Sequence, residues 1–118
     1  MKVNTIYISG KITGAPNQNK HKFSNATEYL MKFANVVLNP HTLPANHDRS
    51  WVSYMKVCIM ALCRADKVVV LDDWKQSRGA IREVIIAKWL NIPVVAIEDM
   101  QEVKISIAIK IKLLFNLI

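Results

Sequence analysis

Four short apolar runs, separated by segments of helical periodicity, limit what this chain can fold into more than any other feature it carries. Thr5-Ile6-Tyr7-Ile8-Ser9, Val36-Val37-Leu38, Val68-Val69-Val70-Leu71 and Pro93-Val94-Val95-Ala96-Ile97 are rich in β-branched residues. Gly10, Asn39-Pro40 and Asp72-Asp73 close the first three. Runs of this kind suit strands buried on both faces of a parallel sheet. Between them, Phe23, Ala26, Leu30 and Phe33 mark an amphipathic helix. Trp51, Tyr54, Met55, Cys58, Ile59 and Leu62 mark a second behind Ser50 as N-cap, and Ile81, Val84, Ile85 and Trp89 a third, with Asn91 suited to a left-handed C-cap. The order βαβαβαβ predicts an α/β fold: a Rossmann-like three-layer sandwich with a parallel sheet of four or five strands, right-handed crossovers and helices on both faces.

Residues 1–100 account for this domain. In the remaining 101–118, Ile105, Ile107, Ile109, Ile111 and Leu113 alternate like a strand while the lysines would also suit a helix. A final strand, or a segment buried against another subunit, is the favoured expectation. At 118 residues and 52% hydrophobic content the chain makes one domain with a real core. Its apolar stretches are broken by Lys, Asn or Asp short of the roughly 20 residues of a membrane span, and Met1-Lys2-Val3-Asn4 lacks a signal-peptide core. A cytoplasmic protein is expected. Cys58 and Cys63, five residues apart on one helix, suit neither a disulfide framework nor zinc and read as buried thiols. A net charge of +7 favours phosphorylated partners or simply gives a solvated basic surface.

The chemistry is concentrated in Asp72-Asp73-Trp74-Lys75-Gln76-Ser77-Arg78-Gly79-Ala80-Ile81-Arg82-Glu83, which joins the third strand to the third helix. In open α/β sheets, ligands sit where strand C-termini meet helix N-termini. With Ser77 as N-cap, the amides of Arg78, Gly79 and Ala80 face an anion at the positive end of the helix dipole. Lys75, Arg78, Arg82 and Lys11 add charge there. An ordinary helix cap with exposed basic residues is the competing reading. Glu83 lies one turn beyond Gly79, and helical side chains lean toward the N-terminus, so its carboxylate is expected over the open volume that Gly79 leaves. A carboxylate beside an anion site suits a nucleophile attacking a sugar carbon; a surface residue paired with Arg82 or Lys88 is the alternative. The His41–Arg49 loop is long enough to act as a lid or wall.

Tyr7-Ile8-Ser9-Gly10, Asn39-Pro40, Ala65-Asp66 and Ser77-x-Gly-Ala-x-x-Glu83 together resemble the nucleoside 2-deoxyribosyltransferase-like superfamily, particularly its small bacterial and phage branch, over roughly residues 4–97. Similarity extends to the deoxynucleoside 5′-monophosphate N-glycosidases. The resemblance implies cleavage of the N-glycosidic bond of a (deoxy)nucleoside or its 5′-monophosphate, with transfer of the sugar to a base or to water and no metal or organic cofactor. It implies Glu83 as nucleophile, Tyr7 touching the sugar or orienting Glu83, and Ser77 with the Gly10 loop on the phosphate. It also implies a homo-oligomer in which a neighbouring subunit completes the site. The chain departs from the pattern at Cys58, where the superfamily usually carries a second acid. Asp72 or Asp73 can stand in, or can simply cap the loop. Lys11 replaces an arginine of the nucleotide hydrolases.

Asp72 is therefore placed with Glu83 and Tyr7 as catalytic, and Gly10, Lys11, Ser77, Gly79, Asp73 and Trp74 as substrate-binding. Trp74 either stacks on a base or packs, while Trp51 and Trp89 sit at core spacing. A P-loop is rejected because Thr5 stands where its first glycine belongs, and a dinucleotide fingerprint lacks its middle glycine. His21, His41 and His47 have no metal-site spacing. A nucleic-acid module is set aside, since no recognition helix, zinc finger or aromatic platform is evident. The other reading of the whole is a nucleotide-binding protein that keeps the pocket and has lost the chemistry.

Overall fold

The computed structural model describes residues 2–44, 50–100 and 111–116. Strands β1 (Val3–Ser9), β2 (Ala34–Leu38), β3 (Lys67–Val70) and β4 (Val94–Ala96) alternate with helices α1 (Lys20–Leu30), α2 (Trp51–Leu62) and α3 (Arg78–Trp89). All three strand pairs are parallel and the sheet order is β2-β1-β3-β4. The α/β three-layer arrangement expected from the alternation is present, with four strands. Going from β2 to β3 the chain steps across β1, so the strand order reverses between β1 and β3. This is where the loops after two adjacent strands part to leave a crevice.

Strand periodicity divides the core in two. Ile6, Ile8, Val69 and Leu71 point to one face, where α1 covers them with Phe23, Ala26 and Leu30. Tyr7, Val68 and Val70 point to the other, under Cys58, Ala61 and Leu62 of α2 and Val84 and Ala87 of α3. With β1 at the centre, Ile6, Tyr7 and Ile8 are wholly buried. Asp66 fastens the start of β3 to β1. Its amide donates to the Thr5 carbonyl at 2.9 Å, and its carboxylate accepts the Thr5 amide at 2.9 Å.

The helix boundaries follow the expected caps. Ser50 Oγ accepts the Ser53 amide, Ser77 Oγ accepts the Ala80 amide, and Asn91 takes φ 57°. Asn39 Oδ1 accepts the His41 amide at 2.9 Å and ends β2 in a tight turn through Pro40. Three expectations are corrected. Residues 111–116 are helical and exposed rather than a strand, because Leu113-Leu114-Phe115 breaks the two-residue alternation. Trp89 is 86% exposed, since α3 buries a stripe of Ala80, Glu83, Val84 and Ala87 and turns Ile81, Ile85 and Trp89 outward. Cys63 is exposed at the end of α2, while Cys58 is buried. Of the His41–Arg49 loop, residues 45–49 lie outside the described residues, as do 101–110 of the tail. Among the described residues, no helix is long and apolar enough to cross a membrane.

Candidate active site

Tyr7 and Ser9 are two residues apart on β1 and therefore share a face. That face meets the second turn of α3, where Glu83 is only 5% exposed. The Tyr7 hydroxyl donates to Glu83 Oε2, and Ser9 Oγ donates to Oε1 at 2.9 Å. Each carboxylate oxygen thus has one neutral donor. Burial nonetheless dominates and pushes the Glu83 carboxyl up to about 7, against the opposing pull of the Tyr7 and Ser9 hydrogen bonds. Burial and the neighbouring Glu83 charge hold the Tyr7 phenol well above its usual range.

Glu83 and Tyr7 open onto a cleft of about 230 Å³ at the C-terminal end of β1, where the strand order reverses. Gly10, Ile12 and Thr13 form one wall, Trp51, Tyr54, Met55 and Cys58 of α2 another, and residues 76–80 a third. Gly10 lets the loop after β3 come close: a Cβ there would sit 3.0–3.1 Å from three side-chain atoms of Leu71. Gly79 acts similarly toward α2, since a Cβ would lie 3.0 Å from Met55 Sδ. The volume expected to be open above Gly79 is partly taken by that thioether. Ser77 accepts the Ala80 amide at 3.1 Å, its hydroxyl facing the cleft wall at the start of α3. The Arg78 guanidinium lies 3.7 Å from the Trp51 ring centroid, which fixes a cation at the cleft mouth.

Cys58 lies among Tyr7, Tyr54 and Glu83 at the inner end of the cleft. Burial, followed by the Glu83 charge, pushes its thiol up to about 11, although hydrogen bonding with Tyr7 and Tyr54 works the other way. Neither aspartate after β3 replaces an acid there. Asp72 is exposed and ion-paired with Lys22 of α1, away from the cleft. Asp73 staples the loop after β1, accepting the Lys11 amide at 3.0 Å, Asn19 Nδ2 at 2.9 Å and Lys22 Nζ at 3.0 Å. Against burial, which raises it, the Lys11 amide and the Lys22 ammonium hold its carboxyl below the usual range.

The structure does not bring Asp72, Asp73, Lys11 or Trp74 to the cleft lining beside Glu83. The short loop after β3 turns both aspartates toward α1, and the Lys11 amide is spent on Asp73. Trp74 packs on the α2/α3 core, with the Lys75 ammonium 5.7 Å from its ring centroid. Glu83, Tyr7, Gly10, Ser77 and Gly79 do converge. Ser9, Trp51 and Tyr54 were not expected. Ser9 was signalled by its two-residue spacing from Tyr7. The α2 residues looked like a uniform core stripe, and only packing shows that one edge of it borders a cleft.

Among the described residues, no three His, Cys, Asp or Glu side chains converge to hold a metal ion. Neither curated proteins nor solved structures give a match to this chain. A family model does match, over residues 4–96 and so from within β1 to the end of β4 and over the whole cleft, and the chain belongs to that family, described as a domain of unknown function (DUF4406).

Proposed function

We propose that this protein cleaves the N-glycosidic bond of a (deoxy)nucleoside or its 5′-monophosphate through a glycosyl intermediate on Glu83, passing the sugar to a base or to water. The observation that carries the reading is a buried carboxylate at the inner end of a cleft, held by two hydroxyls and, among the described residues, by no cation. Each oxygen keeps lone-pair capacity beyond the bond it accepts. A carboxylate aligned and desolvated in this way is a competent nucleophile toward an anomeric carbon, where positive charge develops. Tyr7 and Ser9 fix its orientation, which counts because attack tolerates little misplacement.

The other end of the cleft suits the substrate's polar group. Arg78 supplies charge, Ser77 a hydroxyl, and the first turn of α3 the amides of Arg78 and Gly79, a combination that takes a phosphate or sugar hydroxyls. Outward-facing Ile85 and Trp89 of α3 and Met60 of α2 supply an apolar surface for a homo-oligomer.

The test is release of free base from a panel of deoxynucleosides and their 5′-monophosphates, followed by chromatography. Wild type should release base, and Glu83→Gln should lose at least about 10³-fold, because the covalent route disappears. If a monophosphate raises the melting temperature while no base is released, the protein is a nucleotide binder and the catalytic reading is wrong.

A further inference from the structure

Breaking a bond to a neutral base leaves negative charge on the departing nitrogen, which a general acid normally quenches. One carboxyl cannot attack carbon and protonate the base in the same step. Apart from Glu83, the cleft is lined among the described residues by no carboxyl and no imidazole. Among the described residues, the titratable groups facing Glu83 are the Cys58 thiol and the phenols of Tyr7 and Tyr54, whose ordinary ranges already lie near 8.5 and 10. Burial moves all three further up. Tyr7 also has its proton committed to Glu83.

A second cavity of about 480 Å³ adjoins the cleft, sharing Ile12, Thr13, Trp51 and Tyr54 with it. His41 borders this cavity, but burial lowers its pKa and its Nε2 sits 2.9 Å from the Gln18 carbonyl. In the neutral ring, that nitrogen's proton is the one donated to Gln18, and no second proton is left to give.

We propose that this site takes N-glycosides whose base already carries a positive charge, an N7-alkylated purine or a pyridinium ring, so that the base leaves neutral with no proton supplied. This rests on the glycosidic reading above. An oxygen of Glu83 forms the bond to the anomeric carbon as the carbon–nitrogen bond breaks. The bonding pair stays on the ring nitrogen and cancels its charge. Water then attacks the anomeric carbon, freeing Glu83 and releasing a proton to solvent, or a second base takes the sugar. The surroundings fit a cation. Glu83 is a buried carboxylate held, among the described residues, by neutral donors, and Trp51 and Tyr54 line both cavities where they meet. Arg78 and Arg82 both lie over the Trp51 ring, 3.7 and 5.4 Å from its centroid, where a 5′-phosphate would offset their charge.

The test compares guanosine 5′-monophosphate with its 7-methyl derivative, and their 2′-deoxy forms, after subtracting uncatalysed release. Wild type should prefer the methylated substrate by about 100-fold or more in kcat/KM, in line with the value of a general acid. Because that substrate is also intrinsically more labile, the deciding readout is the ratio in Cys58→Asp. Supplying an acid should raise the ratio of neutral-base to methylated turnover at least about tenfold. Should that variant not fold, a series of ring-substituted pyridinium nucleotides on wild type decides instead: rates should fall steeply as the leaving base becomes more basic. A flat series, a folded Cys58→Asp with an unchanged ratio, or equal wild-type rates on both substrates overturns this inference and leaves the glycosidic reading standing. No base from either substrate overturns both.

Discussion

Glu83 is the residue on which the site turns, and its environment makes its ionisation costly. The carboxyl is raised from 4.5 to about 7 by burial, against the pull of the Tyr7 and Ser9 hydrogen bonds. Between those two values the folded protein holds a proton that the unfolded chain has lost, so stability falls as pH rises from about 4.5 to 7. The loss is on the order of 3 kcal/mol at most. Denaturation of Glu83→Gln across this range should therefore show a flatter pH dependence than wild type, with the variant gaining relative stability above pH 7. On the proposed glycosidic reading catalysis runs the other way, because attack needs the ionised form. Base release should rise with pH and level off above about 7 in kcat/KM profiles. Tyr7→Phe removes a donor that favours the charged carboxylate, so the same limb should move up by about one pH unit or more. A limb that stays in place in Tyr7→Phe would mean that Tyr7 does not bear on Glu83 ionisation.

Among the elements, α3 brings cap, glycine and carboxylate to one wall of the cleft in a single turn and a half. Ser77 satisfies the Ala80 amide, and Ser77→Ala should cost about 1 kcal/mol in urea denaturation while also weakening monophosphate binding. Equal losses in stability but unchanged affinity would remove Ser77 from the binding surface. The loop after β1 depends on close approach instead. Gly10→Ala would drive a methyl against Cβ, Cγ and Cδ1 of Leu71, a branched side chain held in the core, and should destabilise by about 1–3 kcal/mol. Calorimetry of the variant checks this; a melting temperature equal to wild type would show that Leu71 can move aside. The caps at Ser50, Ser77 and Asn91 could all be read from the chain, because each depends on a hydrogen bond or backbone angle set within a few residues.

At the level of the whole molecule, the reversal of strand order between β1 and β3 makes the cleft, and Asp73 holds the loop after β1 that forms one of its walls. The Asp73 carboxyl is depressed, so its contribution is present above the usual aspartate range and is lost as pH falls through its lowered folded value. Asp73→Ala strands the Lys11 amide and should cost about 1–3 kcal/mol at pH 7, with a higher KM because Ile12 and Thr13 lie on the same loop. A normal KM in a destabilised variant would separate the staple from the site. Asp73 also marks where sequence reading stopped. Two aspartates after a strand look alike in one dimension, and only the packing of α1 turns them toward Lys22 and Asn19 rather than into the cleft. Trp89 follows the same logic: apolar spacing shows that a face exists, whereas what covers it depends on distant parts of the chain. The sequence by itself determined the α/β layering, the helix caps and the placing of Ser77, Gly79 and Glu83 within the first two turns of one helix, since these follow from periodicities and bonds that act over a few residues. Only the tertiary structure decided that Ser9 joins Tyr7 on Glu83, that α2 forms a cleft wall, and that Asp72 and Asp73 face elsewhere, because those contacts span fifty to seventy-six residues and exist only once the sheet has ordered its strands.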